Sequence, residues 1–397
     1  MGWRVPFGDL KITKSSRDRL NDIATTSWVS EGRYVKEFEK KFAAKFGWKH
    51  AVAVSSGTDA GMIVWAAIRD LSGKCHTSKS VYEYDGIFMV ITPASAFVAT
   101  ANCLLAAGCY PYFADIDLKT LNLNPVDVTR VLLSTIQGIQ FVATMGKPSP
   151  LIQIADIAAK HALWLVGDFC EAHGAMVTST DPDVVFSTLG YADHLCDASI
   201  YSFYAAHLVI GGEGGIICTD DDELAKVCRS VKSHGRPSNS NYFDFQRIGF
   251  NSKWNEPCAA IALGSLENFD TTFERRREVR AKLLKALEPF EDKLILYRDG
   301  PGEIISPHAF PIVLREDNLL NTNLLYDLLE DKGIQCKTLF GSLPTQHKAF
   351  EFLGYKPDNF PVAERIGRTG LHFGCHEGIT DDDIGLIADT IGEFFDG

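Results

Sequence analysis

The sequence predicts an α/β fold: a large unit whose sheet carries helices on both faces, followed by a smaller α+β unit. Three observations lead there. Strand-length apolar runs alternate with helical segments from residue 50 to residue 220. Glycine-rich or small polar turns, SSGTDAG and GGEGG among them, punctuate the alternation. After residue 290 the chain reverts to fewer, separate strands and helices.

In order, residues 16–47 read as helical pieces around a turn at SEGR, with Phe38, Phe42, Ala43 and Phe46 at helical spacing. HAVAV (50–54) reads as a buried strand, SSGTDAG as a turn and MIVWAAIRD as a helix. IFMVIT (87–92) is a strand, AFVATANCLLAAG a helix and YPYFADID a strand. A helix near 126–134 leads to strand IQFVAT (139–144). Helix 151–162 leads to strand LWLVGD (163–168). ASIYSF (198–203) and GGIICTD (214–220) are two more strands. Segment 255–290 is mostly helical, with a charged hinge at FERRREVR. Strand HAFPIVL (308–314), helix 318–333, strand IQCKTLF and terminal helix DDDIGLIADTIGEFF complete the chain. Residues 72–86 read as a surface loop, and no internal repeat or low-complexity tract is present.

The 397 residues carry a formal net charge of −12, which argues against a duplex nucleic-acid binder and its basic face. A local basic pocket for a phosphorylated small molecule remains compatible. The ten cysteines form no CxC or CxxC pair, and most lie in apolar runs, so they read as reduced core residues rather than ligands of zinc or an iron–sulfur cluster. The N-terminal stretch has no apolar signal core and no apolar run reaches the ~18 residues of a membrane span. The expectation is a cytoplasmic protein with no resident metal.

SSGTDAG sits between a strand and a helix, where backbone N–H groups and hydroxyls can meet a phosphate; the plainer reading is a turn with an N-cap at Thr58. Asp168 closes a strand at its carboxyl end and suits a pyridinium nitrogen, or caps a helix. Phe97 could stack on a planar ring or fill the core. Glu171 and His173 follow Asp168, each as compatible with structure as with function. In SFYAAHLVIGGEGG, Ser202 and His207 precede a glycine-rich turn.

Together these stretches resemble the sugar aminotransferase family of fold-type I pyridoxal-phosphate enzymes. WVSEGRYVKEFEKKFAAKFG, AVAVSSGTDA, ITPASAFVATANCLLAAGCYPYFADID, GDFCEAHGA, SFYAAHLVIGGEGG, GFNSKWNEPCAAIALGSLENFD and FPVAERIGRTGLHFGCHEGITDDDI follow the family's order along nearly the whole chain. The resemblance implies a mixed, mostly parallel seven-stranded sheet. It also implies a large cofactor domain over residues 1–262 and a small α+β domain over 263–397. Gly57 and Thr58 would cradle the phosphate of pyridoxal or pyridoxamine 5'-phosphate, with Ser202 adding a hydroxyl. Phe97 would stack on the ring and Asp168 pair with its nitrogen. Glu171 would reach the cofactor's 3-hydroxyl. Asn251 would reach the cofactor phosphate of a neighbouring subunit, which requires a homodimer with shared active sites.

Position 207 is where the family's aminotransferases carry the lysine that links to the cofactor, and here it is histidine. The same change, in a similar AH-x4-GEGG setting, marks the family's 3-dehydratases of nucleotide-linked 4-keto-6-deoxy sugars. In that branch a base removes a proton from cofactor C4′ and the sugar's C3 hydroxyl leaves; an imidazole of near-neutral pKa suits the task. No closely spaced cysteines follow the histidine, so the resemblance implies the type that regenerates pyridoxamine phosphate from L-glutamate rather than the iron–sulfur type. An aminotransferase with a replaced lysine and a non-catalytic sugar-binding homologue are the alternatives. Gly167, Phe169 and Glu171 depart from the family's usual pattern around the aspartate. Arg33, Arg236, Lys253 and His347 are candidate sugar or diphosphate contacts that also read as solvated charges.

Overall fold

Runs such as HAVAV and WLVGD are apolar on both faces, so their strands need cover above and below. The computed structural model describes residues 2–73, 87–178, 190–237 and 243–396. Its main sheet has the strand order His50–Val54, Gly215–Thr219, Ala198–Ser202, Trp164–Asp168, Ile136–Val142, Met89–Pro93, Tyr110–Ala114. Parallel pairing joins the last five of these strands. Gly215–Thr219 lies antiparallel to both its neighbours. The result is the mixed, mostly parallel seven-stranded sheet expected from the sequence.

One face of the sheet is covered by a core around Phe38, Phe42, Phe46, Phe141 and Tyr201, the other by one around Ile63, Trp65, Val90 and Leu104. Helix Arg33–Phe46 has no side-chain cap of its own. Buried Glu256 supplies one from a distant helix: its carboxylate accepts from the N–H groups of Gly32, Tyr34 and Val35 at 3.0, 2.9 and 2.9 Å. This satisfies donors that a helix start leaves open and fixes the SEGR turn.

A second sheet, in the order Leu294–Leu296, Ala309–Leu314, Gly370–Gly374, Cys336–Thr338, is antiparallel throughout. Its core includes Leu283, Ile312, Leu325, Leu371 and Ile387, and also Val5, which bridges to Ile334. A short three-stranded patch pairs Met176–Val177 with Gly190–Tyr191 and with Glu303–Ile304. The nine described cysteines are free thiols, seven of them buried; Cys75 lies outside the described residues, as do positions 74–86 of the expected surface loop.

Two local expectations are corrected. FERRREVR is no hinge: it lies inside helix Phe269–Leu287, and the chain breaks at Asn268, between that helix and Glu256–Glu267. Phe273, Arg276, Val279, Arg280 and Leu283 recur every three or four residues and are buried, so the charge run hides an inward helical face. The cap before Gly57–Leu71 is Ser56, not Thr58; Ser56 Oγ accepts from Asp59 N at 3.0 Å. Strand Gly370–Gly374 and helix Asp222–Val231 have no counterpart in the sequence reading.

Candidate active site

Parallel strands deliver their carboxyl ends to one edge of a sheet, and the loops that follow them build a common crevice. Here the turns after His50–Val54, Met89–Pro93, Trp164–Asp168 and Ala198–Ser202 meet segments 337–347, His308 and His372 of the second sheet across a cleft of ≈ 1140 Å³. That volume exceeds the roughly 300–1,000 Å³ typical of a pocket for one small ligand. The two walls are tied together where Leu343 N donates to Ala94 O at 2.7 Å and Ser95 Oγ to Phe340 O at 2.5 Å. Gly57, Thr58, Phe97, Asp168, Glu171, Ser202 and His207 all line the cleft.

At one end, Gly57 and Thr58 open a helix, and their N–H groups lack intrahelical acceptors. A Cβ on Gly57 would stand 2.7 Å from Ser202 Cβ and 3.0 Å from Cys170 Sγ, so only glycine lets the two turns approach. Ser202 Oγ is held by Tyr204 N at 3.3 Å. Convergent N–H groups and a hydroxyl at a helix N-terminus suit a phosphate. The loop beyond Ser202 folds back through Phe203 N to Gly214 O (2.9 Å) and Gly211 N to Phe203 O (2.8 Å). It wraps Trp254, whose Nε1 donates to Glu213 O at 2.9 Å. Gly214 sits at φ +141°, and a Cβ there would stand 2.4 Å from Trp254, which accounts for the glycine-rich sequence.

Deeper in the cleft, Asp168 accepts from Cys170 N at 3.1 Å and faces Thr100 Oγ1 at 3.4 Å. Burial pushes its carboxyl above the usual range, against these bonds; a cationic ring nitrogen would reverse that shift. Phe97 is 58% exposed, lying open to the cleft beside Phe340 rather than in the core. Glu171 Oε2 accepts from Met145 N at 2.7 Å, while Oε1 faces His308 Nε2 at 3.8 Å. A cofactor 3-hydroxyl would therefore share Glu171 with two existing neighbours. Burial pushes Glu171 up to about 7, helped by Asp168 and opposed by the Met145 N–H and Lys337.

His207 lies at the cleft wall, only 9% exposed. Its backbone N–H donates to Tyr204 O at 3.0 Å and its carbonyl accepts from Arg276 Nη2 at 3.3 Å. Its ring belongs to a nest of buried imidazoles: His308 Nδ1 is 3.4 Å from His207 Nδ1, and the His173 ring centre is 6.0 Å away. The expectation of a near-neutral pKa is corrected. Burial, with Arg276 and Lys337 adding positive charge, pushes His207 down to about 3. His372 falls to about 3 as well, chiefly by burial. His173 and His308 fall well below the ordinary imidazole range for the same reason.

Asn251 is exposed, outside this cleft, and accepts a hydrogen bond from Lys253. Among the charge candidates only His347 lines the cleft. Arg33 pairs with Asp22, and Arg236 stacks over Phe243 at 4.6 Å. Sequence reasoning missed His308, Lys337 and Arg276. His308 stands just before a strand and Lys337 inside one, where nothing local marks them. Arg276 was hidden in a charge run.

A family model described as the DegT/DnrJ/EryC1/StrS aminotransferase family matches residues 10–392. The chain is similar to dTDP-4-dehydro-2,6-dideoxy-D-glucose 3-dehydratase of Saccharopolyspora spinosa, 28% identical over 96% of this chain and 85% of that protein. It is also similar to GDP-perosamine synthase of Vibrio cholerae, 25% identical over 98% of this chain and 99% of the relative. Among solved structures, Helicobacter pylori PseC, an aminotransferase involved in the biosynthesis of pseudoaminic acid, matches with a TM-score of 0.83 and 22% identity, covering 99% of each chain.

Proposed function

The chain belongs to the DegT/DnrJ/EryC1/StrS aminotransferase family, and from that premise we propose that it removes the C3 hydroxyl of a nucleotide-linked 4-keto-6-deoxy sugar. Its cofactor is pyridoxal or pyridoxamine phosphate, and the residues fit that group. The helix-start N–H groups of Gly57 and Thr58, with Ser202, form a cradle that a Cβ at 57 would fill, and Asp168 offers a carboxylate for the ring nitrogen. When bound, pyridoxamine phosphate supplies an amine for the keto group and an electron sink. Phe97 offers a stacking face. His207 moves the proton, and a wall with little water access guards it.

The observation that carries this reading is His207 itself: an imidazole at the anchoring position in an otherwise retained cofactor cradle. It keeps a base at that position but removes the second amine that would complete amino transfer. We further propose that L-glutamate restores the amine form, that the protein is a cytoplasmic homodimer, and that Asn251 completes the neighbour's phosphate site. The test is incubation with a panel of nucleotide-linked 4-keto-6-deoxy sugars plus glutamate, followed by mass spectrometry. Loss of the 3-hydroxyl is expected; a 4-amino sugar would overturn the reading.

Aminotransfer is the second reading, and one observation favours it: Lys337 is the lysine among the described residues lining the cleft. A non-catalytic sugar-binding role would instead show as binding without turnover.

A further inference from the structure

Two Nδ1 atoms that face each other cannot both carry hydrogen, nor both present lone pairs. At 3.4 Å, His207 Nδ1 and His308 Nδ1 must therefore adopt complementary tautomers. The next link fixes which. His308 Nε2 lies 3.8 Å from Glu171 Oε1, a gap of the kind that tightens when an active site fills. We infer that His207, His308 and Glu171 form a proton relay in which Glu171, not His207, is the final proton acceptor.

With Glu171 ionised, His308 Nε2–H points at the carboxylate and His308 Nδ1 presents a lone pair. His207 then donates from Nδ1, leaving Nε2 as a free base. With Glu171 protonated the chain runs the other way, and His207 carries its hydrogen on Nε2, as an acid. Neither imidazole needs to become a cation. That matters because burial pushes both pKa values far down, with Arg276 adding to both, Lys337 to His207 and neighbouring imidazoles to His308.

The relay rests on the dehydration reading above, and its balance is as follows. The activated C–H bond breaks and its electron pair expels the C3 hydroxyl. His207 Nε2 gains the proton and passes the one on Nδ1 to His308 Nδ1. His308 passes its Nε2 proton to Glu171. Reversed, the chain returns a proton to the departing hydroxyl, which leaves as water. The groups facing each member are known. Asp168, Lys337 and the Met145 N–H bear on Glu171. His173, Tyr204, Arg276 and Lys337 bear on His207. His173, His372 and Arg276 bear on His308.

The test reads tautomers directly by ¹⁵N NMR of histidine-labelled, cofactor-free protein, with the His207 signals assigned through His207→Gln. Raising the pH through about 7 should move the His207 hydrogen from Nε2 to Nδ1. Glu171→Gln keeps the Met145 bond through its carbonyl but aims an amide N–H₂ at His308, so His207 should stay Nε2–H at every pH. A pH-independent tautomer in the native protein, or an unchanged switch in Glu171→Gln, overturns the relay. In the turnover assay, Glu171→Gln and His308→Leu should each lower kcat by roughly 10²-fold with little change in KM, and Glu171→Asp should restore part of it. Full kcat in Glu171→Gln also overturns the relay. If the native switch is present but no 3-deoxy product forms, the dehydration reading fails and the relay stands.

Discussion

Arg276 Nη2 donates to the carbonyl of His207 at 3.3 Å, while its Nε pairs with Glu377 at 2.9 Å. One guanidinium, 1% exposed, thus ties the loop carrying the candidate base to the C-terminal segment. The fork geometry suits two differently placed acceptors, which a lysine cannot match. Arg276→Leu strands Glu377 and frees the loop. We expect a loss of about 2–4 kcal/mol in urea unfolding. An Arg276→Leu variant that unfolds at the native midpoint would show that the pair contributes little.

Acid should destabilise the protein early. His173 is buried, with no partner on either ring nitrogen among the described residues, and its folded pKa lies well below 6.5. The unfolded chain therefore binds the proton first as pH falls, so stability drops from about pH 6.5 downward by up to ~1.4 kcal/mol per pH unit for this residue. Glu171 acts in the opposite sense between 4.5 and about 7, because the folded form holds its proton more tightly. His173→Phe sits among Phe42, Tyr201 and Phe203. Relative to wild type, it should gain about 1.4 kcal/mol between pH 8 and pH 5.5. Equal wild-type and variant pH profiles in urea titrations would contradict this.

With no amine at position 207, dialysis against phosphate should strip the cofactor from the native protein, and borohydride should leave the polypeptide mass unchanged. His207→Lys should retain cofactor through gel filtration and gain its mass on reduction. Lys337→Ala is the control. A native borohydride adduct that vanishes in Lys337→Ala would mean that another amine has taken over the anchor, and would favour amino transfer.

The fold was legible wherever local pattern and burial agree. All seven main strands stand out because both of their faces are apolar, and Ser202, Gly57 and Asp168 follow from being at strand ends. Long-range placement was not legible. Arg276 lies in FERRREVR, whose composition reads as solvated although every third or fourth residue turns inward. His207 was visible as an oddity, but its depressed pKa depends on burial and on the charges of Arg276 and Lys337, which come from distant parts of the chain. Gly370–Gly374, the strand between Ala309–Leu314 and Cys336–Thr338, holds two glycines and a histidine, a composition that hides strand character.

Gly57→Ala tests the phosphate cradle. The added Cβ would press on Ser202 Cβ and Cys170 Sγ, spreading two turns that must converge. Overpacking of this kind costs about 1–3 kcal/mol, and affinity for pyridoxamine phosphate should fall by at least about tenfold in fluorescence titration. Thr58→Ala, which leaves the backbone donors in place, should lose less. Equal affinity in Gly57→Ala and wild type would place the phosphate elsewhere.

Asn251 gives the sharpest test of shared sites. It is exposed and outside its own chain's cleft, so any role at the cofactor must be played across a subunit boundary. His207→Ala and Asn251→Ala should each be nearly inactive alone. When the two are mixed, unfolded and refolded together, half of the dimers are mixed. In a mixed dimer one site receives both lesions and the other receives none. About a quarter of wild-type activity should then return. No recovery, in a mixture shown by native mass spectrometry to contain mixed dimers, would mean that Asn251 does not serve the neighbouring site.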